Sequence, residues 1–473
     1  MTSISLRSGR WRRAGRVLLV LVGIGASLFL AHGSIAMITR VEPPRIDLPP
    51  PVASHGWTRT RSGLREVYLQ GSPEAIGAEH ARLMRSRMIV NEAELWSEYE
   101  RYVPWWIARV GIVDWSLLRY RTLDRGIPEA RRRELAAEAL AFQPDPLSER
   151  MATYQRMVFL HSLYDIALPL EHSPLIGCTS FAIAPEATAD GHVIVARVFD
   201  FEAGEAVDRD KAVFLVREDG AIPFASVAWP GFLGVVTGMN AEGVVIAVHG
   251  ARARESATAG VPVAFSLREA LEHGRSTDEA VQILRSQRVL VSHIVFVADA
   301  RGDFAVVERA PGVEAYVYRS SASVGVTNHF EGPLAADPKN VQVRASTTSV
   351  ARRARLDELL EGIDPHSATP QRALTILRDH RCAGDERCDL GDRRAIDALI
   401  ATHGIVADAT DRVLWVGVGP NLSGKFVRLD LRVLLAADHD ASSDPEPDAL
   451  PEDPILGDGR RDRARARKDA ASR

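Results

Sequence analysis

The string Gly177-Cys178-Thr179-Ser180 sets a lone cysteine where the chain passes from helix-patterned to strand-patterned sequence. A cysteine made chain-terminal by cleavage of the Gly177–Cys178 bond carries its own base. A free α-amine, with an unperturbed pKa of about 7.7–8.0, takes the thiol proton and leaves a thiolate nucleophile. The glycine ahead of it removes side-chain bulk at the scissile peptide. On this string alone, a buried structural cysteine is the commoner reading. Arg197-Val198-Phe199-Asp200 lies 19 to 22 residues downstream. A hairpin turning at Asp190-Gly191 would bring it back beside the sulfur. There the guanidinium would favour the thiolate and the carboxylate would hold an α-ammonium. Thr327-Asn328-His329 follows the strand-like Ser323–Val326, a place from which an asparagine amide can donate to a tetrahedral oxyanion.

Taken in order, Gly177-Cys178-Thr179-Ser180, Arg197-x-x-Asp200, Gly238-Met239-Asn240-Ala241-Glu242-Gly243, Thr327-Asn328 and Ser349-Val350-Ala351-Arg352 make the chain resemble the N-terminal-nucleophile cysteine hydrolases. Within them it is most similar to the autoproteolytic peptidase family of isopenicillin N acyltransferase, with choloylglycine hydrolases and acid ceramidase-like amidases more distant. The resemblance runs from about Ser72 to Asp430. It takes in the Trp229-Pro230-Gly231-Phe232-Leu233-Gly234 segment, Ala401-Thr402-His403 and the Leu414–Pro420 stretch.

The resemblance implies an α+β fold, a four-layer αββα sandwich preceded by a helical prosegment. It also implies a precursor that cuts itself before Cys178 into two subunits that stay associated. Cys178 is then the nucleophile and its freed amine the base. Arg197 and Asp200 poise them, Asn328 is an oxyanion donor and Arg352 braces the site. A backbone amide at His249-Gly250 is the second oxyanion donor. Relatives often carry Asn after the arginine, where this chain has Val198. The implied reaction is thiolate attack on an amide or thioester carbonyl, an acyl-enzyme, and release to water or to an amine. Hydrolysis of the carbon–nitrogen bond of an N-acyl substrate is the expectation for an exported protein, where acyl-coenzyme A is scarce. The alternatives are acyl transfer to an amine and a non-catalytic exported binding protein with an uncut cysteine. No cofactor or metal enters either scheme. A Ser-His-Asp hydrolase is set aside because the chain lacks a Gly-x-Ser-x-Gly elbow.

The elements that must hold these residues follow from composition and pattern. The chain has 473 residues, 46% of them hydrophobic, with 58 Lys plus Arg against 62 Asp plus Glu. A net charge of −4 gives no basic field, so nucleic acid is excluded as a partner. Three cysteines cannot form a disulfide framework. Cys382 and Cys388 are expected to join in an exported protein, and His380 beside them lacks an evident fourth ligand for zinc.

Residues 1–40 are expected to be a signal peptide or membrane anchor. Arg7, Arg10, Arg12, Arg13 and Arg16 precede an uncharged stretch, Val17–Thr39, that as a helix would reach roughly 34 Å. Ser34-Ile35-Ala36 offers small residues for a signal peptidase. The expected location is therefore exported: membrane-anchored, periplasmic or extracellular. Residues 41–71, with Pro43, Pro44, Pro49, Pro50 and Pro51, read as a linker. Residues 72–177 read as the helical prosegment, with helices over Glu74–Val90, Glu92–Tyr102, Glu129–Ala141 and Ser148–Leu163. Residues 178–436 read as the catalytic region. Its strands are expected at Phe181–Ala184, His192–Val198, Ala212–Val216, Val244–Val248, Ile294–Val297, Phe304–Val307 and Ser323–Val326. Its helices are expected at Ser266–His273, Thr277–Ser286, Ser349–Leu360, Arg372–Asp379 and Arg393–Ala401. Residues 437–473 read as a disordered charged tail. Val103-Pro104-Trp105-Trp106-Ile107 and Trp115 read more commonly as core of the helical subunit, and otherwise as a lipid-accepting surface near the anchor, with a long apolar acyl chain in the substrate.

Overall fold

Along the strand Ala212–Glu218, Ala212, Phe214 and Val216 enter one apolar cluster, while Val213 and Leu215 enter another. Along Ile194–Phe201, Val195 joins that second cluster, and Ile194, Ala196 and Val198 form a third. Strand period two thus feeds both faces of two sheets with apolar side chains. Four layers follow: helices, sheet, sheet, helices. The computed structural model describes residues 5–52, 56–168, 176–201 and 205–471.

The segment ahead of Cys178 holds α1 (Ser5–Ile38), β1 (Gly56–Arg61), β2 (Leu64–Gly71), α2 (Pro73–Tyr102), α3 (Trp106–Arg119), α4 (Glu129–Ala141), α5 (Thr153–His161) and α6 (Leu163–Ala167). There follow β3 (Ile176–Ile183), β4 (Ile194–Phe201), α7 (Glu205–Arg209), β5 (Ala212–Glu218), β6 (Phe224–Ala228), β7 (Thr237–Asn240) and β8 (Val245–Gly250). Then come α8 (Val263–His273), α9 (Thr277–Ser286), β9 (His293–Ala298), β10 (Phe304–Arg309), β11 (Tyr316–Ser320) and β12 (Val324–Val326). The remainder includes α10 (Pro338–Ser346), α11 (Ser349–Glu361), α12 (Pro370–Leu377), β13 (Ala401–Asp408), β14 (Val413–Gly417), β15 (Phe426–Asp430) and β16 (Ala449–Leu450), and ends in a helix over Arg460–Ala471.

The nine-stranded sheet runs β1-β2-β5-β6-β7-β8-β9-β10-β11, and the seven-stranded one β12-β3-β4-β13-β14-β15-β16. Every pairing is antiparallel except β2 with β5. Helices α2, α4, α5, α8 and α9 cover the first sheet, and α11 and α12 the second.

Several boundaries differ from expectation. Residues 56–71 are not linker: Leu64 and Tyr68 face one cluster, Val67 and Leu69 the other, and the hairpin forms the edge of the large sheet. Helix α2 runs unbroken through Asn91, where neither Gly nor Pro interrupts it. The expected Ser148–Leu163 helix starts later. The Asp145 carboxylate accepts from Leu147 N (2.8 Å), Thr153 Oγ1 (2.7 Å) and Arg156 Nη2 (2.7 Å) and holds the preceding stretch as a turn. No helix forms over 393–400, and Ala401 begins a strand paired with β4. The tail is not detached. Strand β16 pairs with β15, Asp444 meets Arg59, and Arg461 Nη2 donates to Asn421 Oδ1 at 2.9 Å. Its charges find partners that only the fold supplies.

Among the described residues no helix is long and apolar enough to cross a membrane. The expected N-terminal span was Val17–Thr39, and the side chains of Val17, Leu18, Val20, Leu21 and Ile24 in it lie outside the described residues. Helix α1 packs beside α3, with His32 Nδ1 and Asp114 Oδ1 2.7 Å apart. Trp105, Trp106, Ile107 and Trp115 are exposed there instead of forming a core.

Candidate active site

The site is built on the β3–β4 hairpin, which pairs Gly177 with Asp200, Cys178 with Phe199 and Ser180 with Arg197. Partners facing each other across a hairpin share a face. Cys178, Ser180, Arg197 and Phe199 therefore look inward between the two sheets. Ser180 Oγ meets His249 Nε2 of the opposite sheet at 2.9 Å. Thr179 looks outward, where Arg352 of α11 meets it at 2.8 Å. The main chain of Cys178 is held between these two sets. Arg197 Nη2 donates to Cys178 Sγ at 3.5 Å, and its guanidinium lies 5.0 Å from the centre of the Phe199 ring. Both Cys178 and Arg197 are fully buried.

The nitrogen that cleavage would free already has its partner. Cys178 N donates to Asn328 Oδ1 at 2.8 Å. Arg352 Nη2 donates to the same oxygen at 2.8 Å, while its Nη1 donates to Cys178 O at 2.6 Å. Asn328 Nδ2 donates to Gly250 O at 2.9 Å. Two donors at Oδ1 and a carbonyl at Nδ2 fix the orientation of this amide. Nδ2 keeps a second hydrogen for a ligand. Asn328 itself is set by Ser349 Oγ, which accepts from its main-chain N at 2.8 Å. The Gly250 amide reaches the Cys178 thiol. A side chain at Gly177 would begin 3.0 Å from Asp200 Oδ2, so glycine is what allows the carboxylate to lie against the bond ahead of Cys178.

Burial pushes the Cys178 thiol up, outweighing the pull of the Arg197 guanidinium, and Asp200 pushes the same way. The expectation that an adjacent arginine would lower its pKa is corrected for the uncut chain: the arginine acts in that direction, but desolvation wins. Burial also lowers His249 and His403 well below the usual imidazole range, so both rings are neutral. They bridge the sheets on either side of the site, His403 Nε2 meeting Thr237 Oγ1 at 2.9 Å and stacking on Phe199.

The structure brings Gly177, Cys178, Arg197, Asp200, Gly250, Asn328 and Arg352 together at one place. His249 is there as a side-chain bridge, while the amide that reaches the sulfur belongs to Gly250. Cys382 and Cys388 are paired, with Cα atoms 5.8 Å apart. His380 turns to Asp397 O at 3.3 Å and toward Asp453. Asn240 organises a turn, its Oδ1 accepting from Glu242 N and Val244 N.

Sequence reasoning missed an apolar cavity of about 130 Å³, whose walls include Met88, Leu160, Tyr164, Phe199, Trp229 and Phe232. Two prosegment histidines hold the turn that carries Trp229 and Phe232. His80 Nε2 accepts from Gly231 N at 3.2 Å and His161 Nε2 from Leu233 N at 2.8 Å. The quoted Trp229–Gly234 segment was the one sequence signal for this wall.

Residues 188–388 match the family model described as acyl-coenzyme A:6-aminopenicillanic acid acyl-transferase. This stretch, which holds Arg197, Asp200, Asn328 and Arg352 but begins after Cys178, is what the chain shares with that family. The chain's layers run helices, sheet, sheet, helices, the αββα order that the resemblance implies. An uncharacterized protein of Archaeoglobus fulgidus is 26% identical over 151 residues, 31% of this chain and 25% of its own length. The chain therefore spans about a quarter of the length of the curated relative it matches.

Among solved structures, the Caenorhabditis elegans orthologue of N-acylethanolamine-hydrolyzing acid amidase is 14% identical, covering 49% of this chain and 93% of its own, with a TM-score of 0.37. A variant of conjugated bile acid hydrolase from Clostridium perfringens is 12% identical over 58% and 97%, with a TM-score of 0.38. Penicillin V acylase from Agrobacterium tumefaciens is 16% identical over 58% and 99%, with a TM-score of 0.35.

Proposed function

We propose that the chain cuts itself between Gly177 and Cys178 and then hydrolyses the amide bond of an N-acyl substrate through an acyl-enzyme on Cys178. The observation that carries this reading is the convergence of a buried thiol, its own main-chain nitrogen on Asn328 Oδ1, and Arg197, Arg352 and the Gly250 amide. In self-cleavage, Sγ attacks the Gly177 carbonyl carbon and the Cys178 nitrogen leaves. Water then hydrolyses the thioester, giving a Gly177 carboxylate and a free thiol and amine at Cys178. In turnover the amine takes the thiol proton, the thiolate attacks the substrate carbonyl, and the oxyanion is met by the second Asn328 Nδ2 hydrogen and the Gly250 amide. The α-ammonium gives its proton to the departing amine, and water releases the acid.

An acyl-transfer reading is favoured by the description of the matched family, in which an amine takes the place of water. Product analysis with and without an added amine separates the two. A non-catalytic binding protein would need no such convergence. Export and attachment to a membrane through the N-terminal segment, with the tryptophans of α3 beside it, belong to the same proposal, as does a small, apolar N-acyl partner.

The test is a denaturing gel with turnover of an N-acyl amide. Wild type should give two bands, 177 residues less any removed leader and 296 residues, whereas Cys178→Ala stays whole and inactive. An active Cys178→Ala chain would falsify the reading.

A further inference from the structure

Tyr164 lies in α6, the last helix described before the bond that is cut, and its hydroxyl is buried with no hydrogen-bond partner among the described residues. It shares an apolar cluster with Cys178 and Phe199, and it lines the cavity walled by Met88, Leu160, Trp229 and Phe232. Arg197 likewise has two nitrogens, Nε and Nη1, without a partner. Tyr120 and Tyr154 also bury unpartnered hydroxyls. Tyr164 differs in lining one cavity with Phe199, the residue paired with Cys178, and the charges of Cys178 and Arg197 act on it.

Burial holds the phenol far above its usual pKa, so it is a neutral donor. Phenylalanine would fill the same space without burying a hydroxyl. Since the described residues offer this hydroxyl no acceptor, it is left for a ligand. An apolar cavity walled by Phe199, the cross-strand partner of Cys178, suits an acyl chain, whose polar end is its carbonyl. The helix is also fixed independently of the cleaved bond, because the Asp165 carboxyl accepts from Val263 N of α8 at 3.1 Å.

Resting on the reading above, we infer that Tyr164 is a substrate-contacting residue supplied by the prosegment, donating its hydroxyl to the carbonyl oxygen of the acyl group held against Cys178. The smaller product of self-cleavage is then a working part of the site. The groups facing Cys178 are Arg197, Asp200, Arg352, the neutral His249 and the freed α-amine. Tyr164→Phe leaves all of them in place.

The experiment uses the full chain as wild type, Tyr164→Phe and Cys178→Ala, with N-acyl-p-nitroanilides from acetyl to octanoyl. Tyr164→Phe should be processed to two bands and melt with wild type. Its kcat should fall by about 100-fold, with KM little changed, as for loss of one donor to a developing oxyanion. A Tyr164→Phe chain with wild-type kcat overturns the inference alone, and so does one that no longer folds, because the hydroxyl is then idle or structural. Equal turnover by wild type and Cys178→Ala sinks the reading beneath it, and the inference with it.

Discussion

At Gly177 a single methyl group would bear on the rate of the proposed self-cleavage. Because its Cβ would lie 3.0 Å from Asp200 Oδ2 and 3.2 Å from Asp200 Cβ, Gly177→Ala must displace the carboxylate or the scissile peptide. It is expected to slow self-cleavage at least tenfold, as read by band ratio over time after synthesis. Asn328 carries a double role, accepting from Cys178 N and Arg352 Nη2 while offering Nδ2 to the site. Asn328→Ala is therefore expected to impair processing. In any chain that does mature, it should lower kcat by about 100- to 1,000-fold, roughly 3–4 kcal/mol of transition-state stabilisation. The amine must be neutral to take the thiol proton, so turnover should rise with pH through a midpoint at or somewhat below about 8, since nearby guanidinium groups lower an ammonium pKa. A flat profile from pH 5 to 9 would contradict the amine as base.

Helices α4 and α8 lie on opposite sides of the cut and share a buried charge cluster. Arg268 reaches Glu134 at 2.6 and 2.8 Å and Glu272 at 2.7 Å, and Arg131 reaches Glu134 at 2.7 Å, with Glu218 against both arginines. Removing one cation leaves buried carboxylates unpaired, so Arg268→Gln should cost about 3–5 kcal/mol in chemical denaturation. Asp165 makes a second tie. Its carboxyl sits at the start of α8, where the helix dipole favours a charge by up to about 2 kcal/mol. Burial outweighs that and pushes the group up to about 8. A carboxyl whose pKa is raised on folding contributes its stability below its unfolded value, near about 4, and loses it as pH rises to about 8. Wild-type stability should carry this one-proton decline between those limits, and Asp165→Asn should remove it from a series of melts across pH.

Across the whole molecule, the prosegment supplies β1 and β2 to the large sheet and helices to its outer face, so the cut chain should elute as one species until denaturant is added. Much of the site was legible in the sequence because it sits on local features. The Asp190-Gly191 turn and two apolar runs specify the hairpin, and Thr327-Asn328 ends a strand beside it. Residues 56–71 were hidden by the prolines before them, although Leu64 and Tyr68 on one face and Val67 and Leu69 on the other keep a strand's period of two. The ordered tail was hidden because Asp444 and Arg461 read as solvated charges until Arg59 and Asn421 face them. Tyr164 was illegible because its meaning lies in what it faces across the core.

The most direct measurement is the N-terminal sequence of the larger polypeptide in an active preparation. It should begin Cys-Thr-Ser-Phe, with the thiol free and essential. An active preparation holding only uncut chain, or one cut at another bond, would contradict the claim that this cysteine works as a chain terminus.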